Sequence, residues 1–419
     1  MFQKIKSYIG NISVYFTASL IPMFVSLLTN PLIALNMSPT DYAIVGYYTS
    51  FSTLLTPFIT FYLVNYYNQR YFRVSDIERI ELKATLIKTL IYFSFILSFI
   101  SIVALLIYII YFNTDFELPV FPYILLSILA IPLTGIYALT LNEYRLRRES
   151  KKFFKLSVGY GLLGVLLTLL FVVVFKDGAR GKLLSTLLVN FCFFVVCILI
   201  NKDCFKIKFN KTIFFNSVKF CWPLTIAAML NFFSNGYDKV FLERLGNISE
   251  LGYYTVGAQF AAYLQIFANA VQSTFQPDLY ENIAKSNYRK TVQYVVIILG
   301  SISLVVFAYY LLAPFVINIL TAGRYTMSVG YSQILSISLI TSTAYYVSSQ
   351  ITIALGKSFV PLMTKSIGSL LIILLYMYMI NSYGFYGAAW ANIVSYLILL
   401  ILNIIILTLV VRRDGIKNT

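Results

Sequence analysis

The residue types that usually carry chemistry are scarce in this chain. Histidine is absent from its 419 residues, which removes the commonest proton shuttle and metal ligand. The four cysteines, Cys192, Cys197, Cys204 and Cys221, form no CxxC pair. They read as free core thiols with no metal or redox role. No catalytic set and no cofactor is expected. What remains is a set of polar residues inside apolar runs, and each of these is costly within a bilayer.

Gln265, Asn269, Gln272 and Gln276 recur at i, i+4, i+7 and i+11, which places them on one helical stripe. Thr49, Thr53, Thr56 and Thr60 have the same spacing. Asn231, Ser234, Asn235 and Asp238 crowd a third apolar run. Neutral amides and hydroxyls both donate and accept hydrogen bonds, as the lining of a sugar site must. The same residue types also join helix to helix in membranes, so lining and glue both stand as readings. Lys365 is the sharpest charge. It lies eight residues past Lys357, about 12 Å deeper along a helix, and costs about 2.5–3.5 kcal/mol on insertion scales. An anionic ligand such as a phosphate, a wet cavity or snorkelling would offset that cost. Lys88 is shallower and can snorkel. Lys239 and Glu243 are spaced to pair at i, i+4. Asp238 reads either as a cation-coupling carboxylate or as an interfacial anchor. Asp41, Arg70, Glu143, Arg145, Asp278 and Arg324 sit at span ends and read as interface anchors.

These residues must be positioned by membrane helices. The chain is 59% hydrophobic and 11% charged, against roughly 25% charged in a soluble domain. Its apolar runs are continuous and long enough to cross a hydrocarbon core, which takes about 20 helical residues. Twelve spans are expected, near 11–35, 41–67, 85–112, 121–143, 156–175, 183–201, 217–242, 251–280, 291–313, 327–353, 359–380 and 386–411. With the N-terminus inside, 24 of the 32 Lys and Arg fall in inner connections and six in outer ones. That bias predicts cytoplasmic termini. It also explains the formal charge of +16 without nucleic acid as a partner. No connection is long enough to fold as a domain, so function lies within the bundle.

A repeat divides the bundle. Gly46-Tyr47-Tyr48-Thr49 recurs as Gly252-Tyr253-Tyr254-Thr255, Lys151-Lys152-Phe153 as Lys357-Ser358-Phe359, and Gly178-Ala179-Arg180-Gly181 as Gly384-Phe385-Tyr386-Gly387, each at an offset of 206. The expectation is two six-helix lobes, 1–208 and 209–419. Six spans each give them one orientation, hence a pseudo-twofold axis along the membrane normal. Two such lobes imply a transporter that exposes a cavity to each side in turn.

Several motifs carry a family resemblance: Tyr237-Asp238-Lys239-Val240-Phe241-Leu242, Leu251-Gly252-Tyr253-Tyr254, Phe275-Gln276-Pro277, Ala354-Leu355-Gly356-Lys357 and Gly384-Phe385-Tyr386-Gly387-Ala388-Ala389. In their order and spacing the chain resembles, over essentially its whole length, the polysaccharide and O-antigen (Wzx-like) flippases of the multidrug/oligosaccharidyl-lipid/polysaccharide exporter superfamily. The resemblance implies a polyprenyl-diphosphate-linked oligosaccharide, moved from the cytoplasmic to the periplasmic leaflet of a bacterial inner membrane. It implies contact with membrane lipids, and with the glycan polymerase and glycosyltransferases of the same pathway. It also implies a cationic cavity. Family cavities are Arg-rich, whereas no Arg lies mid-span here, so Lys365 stands as the diphosphate candidate. The cavity candidates are Lys365, Gln265, Asn269, Gln272, Gln276, Asn231, Asn235, Lys239, Thr53, Thr56 and Thr60.

Three other classes fit less well. A cation-coupled multidrug exporter of the same fold calls for a carboxylate deep in an early span, and the first span has none. A membrane O-acyltransferase calls for a catalytic His. A glycan polymerase calls for a large periplasmic loop.

Overall fold

The computed structural model describes residues 2–112, 117–357 and 359–417. Ser358, in one repeat landmark, lies outside the described residues, as do the side chains of Lys4, Lys6, Pro277, Arg413 and Lys417. The described chain is helical throughout. Its elements are α1 (Phe2–Asn36), α2 (Pro39–Thr60), α3 (Leu63–Tyr71), α4 (Asp76–Phe112), α5 (Tyr123–Leu129), α6 (Thr134–Leu146), α7 (Ser150–Thr168) and α8 (Gly178–Ile200). They continue as α9 (Lys211–Met229), α10 (Phe232–Asn235), α11 (Tyr237–Glu243), α12 (Ile248–Ala284), α13 (Tyr288–Leu320), α14 (Ser328–Ala354) and α15 (Phe359–Lys417). Each expected span falls on one of these helices or on consecutive broken pieces.

Among the described residues, seven helices are long and apolar enough to cross a membrane by length and composition. One of them, α15, runs for 59 residues and carries Gly384 at φ 57°. A helix of that length reaches about 88 Å at 1.5 Å per residue, far beyond a hydrocarbon core of about 30 Å. The break at Gly384 therefore makes it two spans. Helices α2, α12 and α14 fall short on hydropathy, not on length. They carry the Thr stripe, the Gln/Asn stripe and a run rich in Ser and Thr. The polar content that lowers their hydropathy is the content expected of a cavity wall.

The chain packs as two compact units. One is Met1–Met229 with Leu320–Ala322; the other is Leu230–Ile319 with Gly323–Thr419. Helix α9, which follows the expected division after residue 208, packs on α2 and α3 of the first unit. The first core gathers Tyr67, Leu86, Leu90, Ile136, Leu139, Cys197 and Cys221. The second gathers Ala268, Leu279, Ile298, Ile302, Val306, Leu339 and Val347 from α12, α13 and α14. Large apolar side chains also face outward, among them Leu28, Phe99, Phe307, Leu311 and Leu374. Such a coat suits lipid as its solvent. Three of the four cysteines are buried as expected, and Cys192 is exposed on α8.

Two charged residues expected to be interface anchors have more specific places. Glu143 is buried, with Lys83 and Arg147 each 2.6 Å away. A carboxylate taken out of water needs such partners. Asp41 closes a capping box with Ser38 and also accepts the backbone N–H of Ala179 at 2.8 Å. One carboxylate thus caps α2 and ties the start of α8 to it. Lys88 donates to the backbone carbonyl of Ile207 instead of leaving the helix bundle.

The repeat has a backbone counterpart. Gly178 and Gly384, 206 residues apart, both have positive φ, at 49° and 57°. Gly181 and Gly387, also 206 apart, each sit against a carbonyl of the preceding helix. A Cβ on Gly181 would lie 2.9 Å from the Phe171 oxygen, and on Gly387 2.0 Å from the Met379 oxygen. Glycine is required at both hairpins because the helices meet there backbone to backbone. The Gly387→Ala variant is expected to lose about 1–3 kcal/mol of stability through overpacking. Gly300→Ala, which meets nothing within 4 Å, should gain about 0.5–1 kcal/mol. Thermal unfolding in detergent measures both, and an unchanged midpoint for Gly387→Ala would disprove the close approach.

Candidate functional site

The site of interest forms where a span fails to stay helical. The sequence Leu230-Asn231-Phe232-Phe233-Ser234-Asn235-Gly236 holds two Asn, a Ser and a Gly. Their side chains compete for backbone hydrogen bonds, or in the case of Gly leave the backbone unrestrained. The helix accordingly stops at Met229, makes one turn as α10 and restarts as α11 at Tyr237. Backbone groups freed within a membrane must find new partners. The second half of α15 supplies one such partner and a side-chain bond beside it. Asn392 Nδ2 donates to the Ser234 carbonyl at 2.9 Å, and the Tyr396 hydroxyl donates to Asn235 Oδ1 at 2.7 Å.

Beside this break the second unit holds a cavity of about 320 Å³. Asn235, Asp238 and Lys239 line it from the broken segment, and Gln265 lines it from α12. Ser338 and Ser342 line it from α14, and Asn392 and Tyr396 from α15. Three alanines of α12, Ala258, Ala261 and Ala262, keep that wall low. Both serine hydroxyls donate back to their own helix, to Leu335 at 2.7 Å and Leu339 at 3.1 Å. Their lone pairs remain for a ligand. The wall therefore offers amide donors and hydroxyl acceptors in a confined space.

The cavity also contains a buried ion pair. Asp238 is 4% exposed. It accepts the Tyr254 hydroxyl at 2.7 Å and lies 3.4 Å from the Lys239 ammonium. Sequence spacing pointed Lys239 toward Glu243; in the structure it has Asp238 beside it. Adjacent opposite charges cancel to leave a wall that is polar and nearly neutral. Removing one partner of a buried pair is costly because the other is then uncompensated.

Lys365, on the first half of α15, is outside this lining. Its ammonium donates to Asn231 Oδ1 at 2.6 Å, at the start of the break. Among the described residues no carboxylate pairs with it. An amide satisfies one N–H but leaves the charge uncancelled.

The remaining expected residues divide. Gln265 donates to Asn269 at 3.0 Å, so these two act as a unit on α12. Gln272 is buried on the same helix, and Gln276 is part-buried further on. Thr53, Thr56 and Thr60 lie in the first unit on α2 and are part-buried. The Thr60 hydroxyl donates to the Thr56 carbonyl at 2.8 Å. Helix α2 ends just beyond, where Phe61 and Tyr62 take φ of 49° and 51°. Sequence reading passed over Ser338, Ser342, Asn392 and Tyr396, although each pair is spaced i, i+4 and the stripe rule used for α12 would have found them.

A helical bundle in two compact units, with several helices long and apolar enough to cross a membrane and a polar cavity in the second unit, defines a multi-pass membrane protein. Solved structures bear this out. The lipid II flippase MurJ in an inward closed conformation is 17% identical, covers 93% of this chain and 86% of its own, and gives a TM-score of 0.66. An inward-facing multidrug resistance MATE family transporter of the MOP superfamily is 15% identical, with coverages of 97% and 99% and a TM-score of 0.63. A MOP superfamily transporter from Pyrococcus furiosus is 14% identical, with coverages of 95% and 95% and a TM-score of 0.59. At such identities the likeness establishes the fold. No curated protein sequence matches the chain. The chain belongs to the polysaccharide biosynthesis protein family, whose model matches residues 32–330.

Replacing Tyr254 by Phe removes the neutral donor to Asp238. The expected cost is about 1.5–3 kcal/mol, the range for a hydrogen bond to a charged group, read as a lower thermal midpoint of the purified protein. A midpoint equal to the parent's would show that the Asp238 carboxylate does not depend on this hydroxyl.

Proposed function

We propose that this protein flips a polyprenyl-diphosphate-linked oligosaccharide repeat unit, of O-antigen or capsule type, across a bacterial inner membrane by alternating access, from the cytoplasmic to the periplasmic leaflet. The observation that carries the reading is Lys365. It is a membrane-embedded ammonium held by the neutral amide of Asn231, at 2.6 Å, with its charge left for an anion. A diphosphate is an anion of the right class: Lys365 balances one of its charges, its oxygens form charge-assisted hydrogen bonds with lysine, and the second charge faces the polar cavity.

Two features support a glycan as the remainder of the cargo. The cavity wall of Asn235, Gln265, Ser338, Ser342, Asn392 and Tyr396 offers donors and acceptors in the mixture that sugar hydroxyls require. Membership of the polysaccharide biosynthesis family supplies the context. The positive-inside bias supports cytoplasmic termini. Asp238 is the proposed coupling site. Its carboxylate exchanges the Lys239 ammonium for a solvent cation during the cycle, so Asp238→Asn is expected to abolish dependence on that cation.

Lys365→Ala is tested in cells that lack the native protein, with surface glycan as the readout. Losing a charge-assisted contact worth about 1.5–3 kcal/mol should reduce export roughly tenfold or more, while Lys365→Arg should retain most of it. Unchanged export in a well-expressed Lys365→Ala variant would remove the diphosphate role. Neighbouring glycosyltransferase and sugar-nucleotide genes would support the glycan cargo independently.

A further inference from the structure

The first unit contains a cavity that the proposed transport site does not use. It encloses about 250 Å³ among α1, α7 and α8. Its polar wall includes Ser26, Thr29, Thr168, Ser185, Thr186 and Lys182, and the Tyr160 hydroxyl beside them donates to Asn190. We infer that this cavity is a binding site for a small monovalent anion of the chloride class, with Lys182 as its counter-charge.

The placement of Lys182 is the first argument. It stands in the first turn and a half of α8 and is half-buried with its aliphatic stem. Among the described residues its ammonium has no hydrogen-bond or ion-pair partner. The carboxylates near the head of α8 are engaged elsewhere. Asp41 accepts the Ser38 N–H, the Ser38 hydroxyl and the Ala179 N–H, and Asp177 lies 3.9 Å from Arg180. A half-buried ammonium at the end of a span, without a counter-charge in the chain, calls for one from outside it.

The hydroxyls are the second argument. Ser185 and Thr186 donate back to the Lys182 carbonyl at 2.7 and 3.1 Å, and Thr29 to the Val25 carbonyl at 2.9 Å. Those carbonyls belong to helices whose backbone bonds already serve them. The hydroxyl protons can therefore turn to a better acceptor without leaving a backbone group unmet. Thr168 and Ser185 face each other at 3.0 Å across α7 and α8. Immediately after Thr168 the helix widens into a π-turn at Leu169–Val174, a distortion frequent at functional sites. Glycine sets the other wall: a Cβ on Gly161 would lie 2.2 Å from Pro22 Cβ, so α1 and α7 touch there and bring Ser26 and Thr29 to the same cavity as Thr168.

Charge and size set the ligand class. One ammonium balances one negative charge. A dianion such as phosphate would leave a second charge unpaired in a low-dielectric setting. The volume holds a halide with several waters, at roughly 30 Å³ per water.

The test uses the purified full-length protein in nanodiscs, with chloride replaced by gluconate at constant ionic strength. The parent and Lys182→Arg are expected to show a saturable rise in thermal midpoint with chloride, and Lys182→Met to lose it. The proposal is overturned if the parent unfolds at the same temperature in both anions, or if Lys182→Met keeps the same saturable rise, as it would if the lysine only snorkelled to the surface. Should Lys182→Met fail to fold, bromide-soaked crystals of the parent decide: an anomalous peak within hydrogen-bond reach of Lys182 Nζ supports the site, and its absence there refutes it. Neither arm measures glycan export, so the result is independent of the transport reading.

Discussion

A polar group inside a membrane has no water to fall back on, and the second unit is organised around that constraint. The span from Lys211 to Glu243 breaks at Asn231–Gly236, and four polar groups at or near the break meet side chains from other helices. Asn392 takes the Ser234 carbonyl, Tyr396 takes Asn235, Lys365 takes Asn231 and Tyr254 takes Asp238. Three of these partners come from the two halves of α15. The bend at Gly384 thus lets one long helical segment serve the break from two spans.

The embedded charges fall into three kinds. Glu143 is over-matched by Lys83 and Arg147, which makes it a structural clamp at the end of α6. Asp238 and Lys239 are mutually neutral but sit in a cavity wall, where a competing ion can reach them. Lys365 and Lys182 have no carboxylate partner among the described residues. Their cost is met only by neutral dipoles or by an anion, unlike that of the paired charges.

Two tyrosines at the 206-residue offset are used differently. Tyr48 and Tyr254, 206 apart, are both fully buried. Tyr48 donates to the Pro119 carbonyl at 2.8 Å, whereas Tyr254 donates to Asp238. The same residue therefore closes a loop in one unit and holds an ionisable group in the other.

Spans, repeat and polar stripes were legible in the sequence because they rest on local periodicity and composition. Lipid admits only helices or closed barrels as spanning structures, and a 206-residue offset is visible as text. The division of charges was less legible. Glu143 read as an anchor because sequence position shows only that it lies near a span end; its burial against Lys83 depends on how α4 and α6 pack. Lys239 read as a partner of Glu243 because the two are i, i+4 within α11; its ammonium lies instead beside the adjacent Asp238, which spacing rules do not weigh. Ser338, Ser342, Asn392 and Tyr396 carried a stripe signal, but no local rule shows that α14 and α15 converge on Asn235. By itself the sequence determined that the chain crosses a membrane in helices, and it pointed to a repeat at an offset of 206 and to Lys365 as a charge within a span. Only the tertiary structure decided which polar groups satisfy one another and which lack a carboxylate partner, because that depends on distances between residues far apart in the chain.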